Sequence, residues 1–454
     1  MHPALVRHTT FPYFQWRMRR PFGEALKVLE ESQWYSPQRL REMQWEKMRA
    51  LLAHAASHVP YYRRLFRELG ARPQDFRELD DLRRLPVLSK QIVRDHSQEL
   101  VADGAVRLSR RRTSGSTGIP MQSYADARCW GWWLAAEKRG RRWWGVDIGD
   151  REGKLTTHSP SSARRLKLRH LLNEGTFTCV DLSETAMARV YHQLVRFGPA
   201  YLYGESTTTL AHFARFVLDQ HGDDQPLRPK AIFCTGEVLY PDQRAVLARA
   251  FKCPVVNEYG ASEIWLIAAE CPAGRMHVMA ENVYLEYRPA AASGVGITEI
   301  LVTDLNNYGM PFIRYAIGDL GAPLDEACPC GRGLPLMDVR GGRTSDLAVT
   351  PDGRYFDNMA LCGIFEDLAA PMIRQYRIIQ DAPDRFTVMV AASQDEGVVE
   401  AIRAGFRQIV GSASVDVQFV NEIPREPSGK LRHFVSRLAH SAVRQRHEQE
   451  SVTS

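Results

Sequence analysis

No stretch of this 454-residue chain reaches the run of about 18 apolar residues that a bilayer-spanning helix needs, so no membrane span is expected. Arg17, Arg19 and Arg20 stand near the start, but no apolar signal-peptide core follows them. Cysteine is sparse, with 8 residues, and without a secretory leader these do not imply a disulfide framework; the cytoplasm is the expected location. A repeat of fixed period is missing. So is the G-x-x-x-x-G-K-[ST] spacing of a P-loop. The formal net charge of +6 owes much to clusters at Arg107 and Arg110 to Arg112, at Arg139 to Arg142, and from Arg164 to His170. No nucleic-acid motif accompanies them, so nucleic acid is not an expected partner. They read as solvated faces, with a polyanionic coenzyme or carrier protein as the sharper alternative.

What is present is globular material. Apolar residues make up 44% and charged residues 25%, and the length suggests two or three folded units. Residues 1–100 read as largely helical, with Met48, Leu51, Leu52 and Ala55 at helical spacing. From about 185 to 260 the pattern alternates. Helical stripes at Met187 to Val195 and Leu210 to Val217 surround a short strand at Tyr201 to Tyr203. Ala231 to Cys234, then a helix opening at Pro241, then Val255 to Asn257 continue the series. Strand–helix alternation predicts a parallel sheet covered by helices, with ligands at the strands' carboxyl ends. Cys234-Thr235-Gly236-Glu237 and Asn257-Glu258-Tyr259-Gly260 fall at those ends. The tail reads as a small α+β unit: strands at Ile373 to Ile379, Arg385 to Val390 and Val415 to Val420, and a helical face of Val399, Ile402, Phe406 and Ile409. Gly341-Gly342 interrupts the pattern and places a boundary at 340–346. The division expected is a domain over 1–342 and a small one over 343–454.

Chemistry concentrates in Thr113-Ser114-Gly115-Ser116-Thr117-Gly118. Glycines let the backbone approach a ligand, N–H groups can face an anion, and hydroxyls add donors. Further along lie Tyr259-Gly260-Ala261-Ser262-Glu263, Arg314 to Asp319, Gly342-Arg343-Thr344-Ser345-Asp346 and Pro427-Ser428-Gly429-Lys430. Each alone is an ordinary turn. Their order over more than 300 residues resembles the acyl-adenylate-forming superfamily. It resembles more narrowly the phenylacetate–CoA ligase branch, with its relatives from capsular-polysaccharide gene clusters.

The resemblance implies an α/β fold with a large adenylate-forming domain and a small mobile C-terminal domain. It implies that Thr113, Ser114, Gly115, Ser116, Thr117 and Gly118 wrap the ATP phosphates. Gly236 and Glu237 would lie beside adenine, with Tyr259 and Gly260 near it. Glu263 would help hold Mg²⁺, Asp319 would bind the ribose hydroxyls, and Arg343 would sit at the hinge. Lys430 would bridge carboxylate and α-phosphate during adenylation. Three positions depart from the pattern. Ile119 stands where lysine is usual, Ser345 where a hinge aspartate is usual, and Leu347 to Asp357 lacks the usual Gly-Gly-Glu.

Cys271, His277, Cys328 and Cys330 supply three thiols and an imidazole, a complete tetrahedral set for structural zinc. The branch shows a similar Cys…His…Cys-x-Cys set. The expected enzyme activates a small carboxylic acid as an acyl-adenylate and passes it to a thiol such as CoA. An amine, an alcohol or a carrier protein as acceptor is the alternative, and a catalytically inactive nucleotide- and zinc-binding scaffold the reading from another class.

Overall fold

The first hundred residues are largely helical as expected, and among their helices are α1 (Phe22–Ser32), α2 (Pro37–His58), which carries the predicted stripe, and α3 (Pro60–Glu68). Met48, Leu51, Leu52 and Ala55 on α2 are fully buried, and Ser36 caps the helix by accepting from the Arg39 N–H. The computed structural model describes residues 1–112, 121–156, 169–179, 183–289, 298–343, 347–349, 355–357, 361, 364–365, 373, 375–424 and 432–438. The glycine-rich segment 113–118 and Lys430 therefore lie outside the described residues, as do Ser345 and Cys362.

A hairpin of β1 (Ser109–Arg112) and β2 (Gln122–Ala125) leads into α4 (Ala127–Arg142), capped by the Asp126 carboxylate. Then come β3 (Glu152–Thr156), β4 (Glu174–Thr178), α5 (Glu184–Phe197), β5 (Tyr201–Gly204), α6 (Thr207–His221), β6 (Ile232–Cys234), α7 (Pro241–Phe251) and β7 (Val255–Ala261). The predicted alternation is present, except that β7 runs on through Glu258, Tyr259 and Gly260 to Ala261, four residues past the expected end at Asn257. Strands β3 to β7 pair in parallel.

At β7 the sheet changes character. Its other edge pairs antiparallel with β8 (Trp265–Glu270), and β9 (Met276–Val278), β10 (Val283–Pro289), β11 (Thr298–Asp304), β12 (Tyr315–Leu324) and β13 (Leu336–Arg343) follow. Among the described residues this gives eleven strands in the order β10-β11-β12-β13-β9-β8-β7-β6-β5-β3-β4. A parallel half and an antiparallel half thus share β7, the strand that carries Tyr259.

The C-terminal unit contains β16 (Gln375–Ala382), β17 (Arg385–Ala391), α8 (Glu396–Val410), β18 (Ser414–Phe419) and β19 (Phe434–Ser436), after the short pair β14 (Leu347–Val349) and β15 (Tyr355–Asp357). Its four-stranded sheet runs β18-β17-β16-β19. Helix α8 buries Val398, Ile402, Phe406 and Val410, a strict i, i+4 row, while Val399 and Ile409 flank it.

Two expectations need correction. Gly341-Gly342 does not interrupt the chain: β13 runs through both to Arg343. The register jumps there, from Leu320 opposite Arg340 to Asp319 opposite Arg343, so the glycines form a bulge beside Asp319. The basic cluster Arg139 to Arg142 is not a solvated face. Arg139 and Arg141 are buried, and Arg139 pairs with buried Glu281 at 2.5 Å. Arg141 sits among Glu137 (2.9 Å), Glu152 (3.0 Å) and Glu258 (3.2 Å), tying α4 to β3 and β7. Among the described residues no helix is long and apolar enough to cross a membrane.

Candidate active site and metal centre

The seam at β7 brings several of the predicted residues together. Gly260 lies at a break in the β7–β8 register, where a Cβ would stand 2.0 Å from the Trp265 carbonyl oxygen, so no other residue fits there without a backbone shift. This close crossing sends Tyr259 back toward the antiparallel half. Its hydroxyl donates to Asp319 Oδ2 at 3.0 Å. Asp319 follows Gly318, whose φ of +83° places it in the left-handed region. One ring and one carboxylate from the two flanking motifs thus meet across sixty residues of sequence.

Glu263 sits next to them, 4% exposed. Tyr315 donates its hydroxyl to Glu263 Oε1 at 2.7 Å. Burial, then the neighbouring Glu263 charge, hold the Tyr315 phenol well above its ordinary pKa, so it remains a donor. The other Glu263 oxygen has no hydrogen-bond partner among the described residues, which suits a carboxylate that would take a cation. Tyr315 is itself placed by its neighbours. Arg314, at φ +54°, forms an ion pair with Glu286 at 3.0 Å, and its backbone and that of Ala316 pair with Leu88. Tyr315 lies inside a quoted motif, yet nothing in the sequence marks it as the partner of Glu263.

Gly236, with φ +81°, turns the chain after β6. Glu237 Oε2 then accepts from Ser206 Oγ and the Thr208 N–H, both at 2.9 Å, at the start of α6. A carboxylate at a helix N-terminus is favoured by the dipole and the free N–H groups. This role as a clamp between β6 and α6 carries no sequence signature. The backbone of Arg343 stands opposite Asp319 in the β12–β13 ladder, which brings the hinge segment to the same seam.

The four predicted metal ligands converge. The donor atoms of Cys271, His277, Cys328 and Cys330 lie within 4.8 Å of one another. Cys271 Sγ and Cys328 Sγ are 3.6 Å apart, and His277 Nε2 is 3.2 Å from Cys330 Sγ. The other ring nitrogen, Nδ1, lies 3.1 Å from the Leu334 carbonyl. Donation to that carbonyl fixes the tautomer that turns Nε2 toward the thiols. Burial lowers the His277 pKa to about 4, so the ring is neutral and its nitrogen available. Three sulfurs and one neutral nitrogen at these separations fit tetrahedral zinc. The cluster joins the turn after β8 to the turn after β12. Trp143 packs edge-on against His277 at 5.7 Å.

Residues 348–437 match the family model of the CapK C-terminal domain. Protein CapK of Staphylococcus aureus is 23% identical over 371 residues, covering 79% of this chain and 81% of that protein. The phenylacetate-coenzyme A ligase of Thermus thermophilus is 26% identical over 339 residues, 69% of this chain and 72% of that enzyme. Among solved structures, 2-hydroxyisobutyryl-CoA ligase in the postadenylation state superimposes with a TM-score of 0.72. It is 18% identical over 92% of this chain and 94% of that one. The chain is thus similar over most of its length to protein CapK and to a phenylacetate-coenzyme A ligase, and it shares the fold of 2-hydroxyisobutyryl-CoA ligase.

Proposed function

We propose that the chain is an AMP-forming acid–CoA ligase that activates a carboxylic acid with ATP and Mg²⁺. The observation that carries this reading is the Tyr259–Asp319 hydrogen bond beside the Tyr315–Glu263 pair, at the seam where the sheet changes from parallel to antiparallel. A carboxylate oxygen of the acid attacks the α-phosphorus of ATP, the bond to the β-phosphate oxygen breaks, and pyrophosphate leaves. The CoA thiolate then attacks the acyl carbonyl and AMP leaves.

The first step presses two anions together, so charge compensation dominates its barrier. Mg²⁺ would supply part of that compensation. Glu263 is the carboxylate that would hold it, with Tyr315 fixing one oxygen and leaving the other for the metal. Asp319 would accept from the ribose hydroxyls, and Tyr259 would orient that carboxylate while its ring flanks adenine. Thr113, Ser114, Gly115, Ser116, Thr117 and Gly118 would grip the phosphates, and Lys430 would bridge carboxylate and α-phosphate. The small domain, from 343 onward, would carry Lys430 in and out. Zinc at Cys271, His277, Cys328 and Cys330 would be structural, with no coordination position left for substrate. An aromatic acid is the favoured substrate, from the phenylacetate-coenzyme A ligase relative.

The test is ATP–pyrophosphate exchange across a panel of carboxylic acids, followed by acceptor screening with CoA, amines and carrier proteins. Acid-dependent exchange and CoA thioester formation are expected. Exchange with transfer only to an amine would move the assignment to an amide-forming ligase. No exchange with any acid would refute adenylation.

A further inference from the structure

Arg111 on β1 is a partly buried cation whose guanidinium has no ion pair among the described residues. Its Nε donates to the Ser262 carbonyl at 2.9 Å, next to Glu263. The guanidinium lies 4.7 Å from the ring centre of Trp265 and 5.2 Å from that of Trp130. A carboxylate would be the ordinary partner for a cation placed among indoles, since burial without one is unfavourable. Burial lowers the Arg111 pKa, while the Tyr203, Glu263 and Glu205 side chains are close enough to counter it without touching it.

Two further polar groups nearby also lack partners among the described residues. Ser123 stands directly opposite Arg111 in the β1–β2 ladder, so the two side chains share a face of the hairpin. Ser123 is 1% exposed, and among the described residues its Oγ makes no hydrogen bond. Among the described residues the buried Trp130 indole N–H is unsatisfied as well, whereas the Trp265 N–H donates to Glu137 at 2.9 Å. A second cation with no ion pair among the described residues, Arg20, lies 4.9 Å from the Trp130 ring centre. Buried donors are almost always satisfied, so orphans on the β1–β2 hairpin and at the start of α4, close to Glu263, call for a ligand.

We propose that Arg111, Ser123 and Trp130, with Arg20 at the same indole, form a binding subsite for an oxyanion of a substrate, either a phosphate or a carboxylate. All three central groups donate, a set that fits the acceptor oxygens of such an anion. The subsite deepens the adenylation reading, because ATP phosphates and the acid are the two sources of that chemistry. Contact with both indoles, whose ring centres are themselves 5.3 Å apart, keeps the guanidinium in place before the anion arrives.

The experiment uses the full chain, with inorganic pyrophosphate for the phosphate source and phenylacetate for the carboxylate source. The readout is the Trp130 indole N–H resonance, assigned by its loss in Trp130→Phe. One probe is expected to shift it saturably, and Arg111→Met to weaken that probe about tenfold or more, as befits a charge-assisted contact. Ser123→Ala should weaken it several-fold and serves where Arg111→Met does not fold. A shift with pyrophosphate assigns the subsite to the nucleotide, and one with phenylacetate assigns it to the acid. No saturable shift with either probe, or unchanged affinity in both variants, overturns the subsite. Saturable shifts in a chain that shows no acid-dependent exchange would instead refute the adenylation reading and leave the subsite standing.

Discussion

At the scale of single residues, the candidate site turns on paired oxygens. Asp319 and Tyr259 are held in place by each other, at 3.0 Å, before any nucleotide arrives. Asp319→Ala removes the acceptor expected for the ribose hydroxyls. Direct titration with a non-hydrolysable ATP analogue should show affinity falling about tenfold, the scale of one lost hydrogen bond to a charged group. Unchanged affinity would take Asp319 out of the nucleotide site. Lys430→Ala should leave folding intact and lower acid-dependent pyrophosphate release by roughly 10² to 10³, the usual loss on removing one charge-stabilising group. Near-normal release would refute its role. The carboxylates Asp319 and Glu263 were legible because each stands in an ordered motif. Tyr315 and the Arg111–Ser123 pair were not, since a hydrogen bond across 52 residues or a cross-strand neighbour leaves no local pattern.

Among elements, strand β7 joins the parallel and antiparallel halves of the sheet, and the Cys/His cluster gathers two turns within the antiparallel half. The alternation of strands and helices from 185 to 260 was readable because α5, α6 and α7 each keep an apolar stripe at helical spacing. The change to antiparallel pairing beyond β7 was not, because it depends on which strand each later segment meets. Helix α4 shows the same limit. A run of arginines looks solvated in sequence, yet Arg141 neutralises carboxylates from α4, β3 and β7 that no short window contains. Replacing Arg141 with Met should destabilise the fold by about 3–5 kcal/mol, since it leaves Glu137, Glu152 and Glu258 buried without their shared partner. Chemical denaturation measures this, and a loss below about 1 kcal/mol would show that the cluster relaxes or takes up protons. For the metal, elemental analysis of protein purified without added metal should find about one zinc per chain. Chelation should lower thermal stability while leaving the nucleotide affinity of the surviving folded protein little changed. Metal-free protein of full stability and activity would refute the centre.

For the molecule as a whole, the question is how the small domain meets the large one. Tyr240, just after Glu237, packs into the C-terminal core with its ring 5.1 Å from that of His433, and Gln375 reaches His212 on α6 at 2.9 Å. These contacts link the turn after β6, which holds Gly236 and Glu237, to the strands of the unit expected to carry Lys430. The two proposed half-reactions would make different demands on one side of the site: a lysine during adenylation, then room for the thiol. A single fixed docking cannot meet both, so the small domain is expected to rotate, with residues 340–346 as the pivot. The β13 bulge at Gly341-Gly342 fits this, because a strand with two extra residues opposite Asp319 can change its path without breaking the rest of the ladder. Ser345→Pro fixes φ at one position of that segment. Adenylation, followed by pyrophosphate exchange, should then fall less than acyl transfer, followed by thioester formation under single-turnover conditions. Equal losses, or no change in either, would place the pivot elsewhere. The comparison of half-reactions is what makes the test specific, because a merely destabilised domain would depress both together.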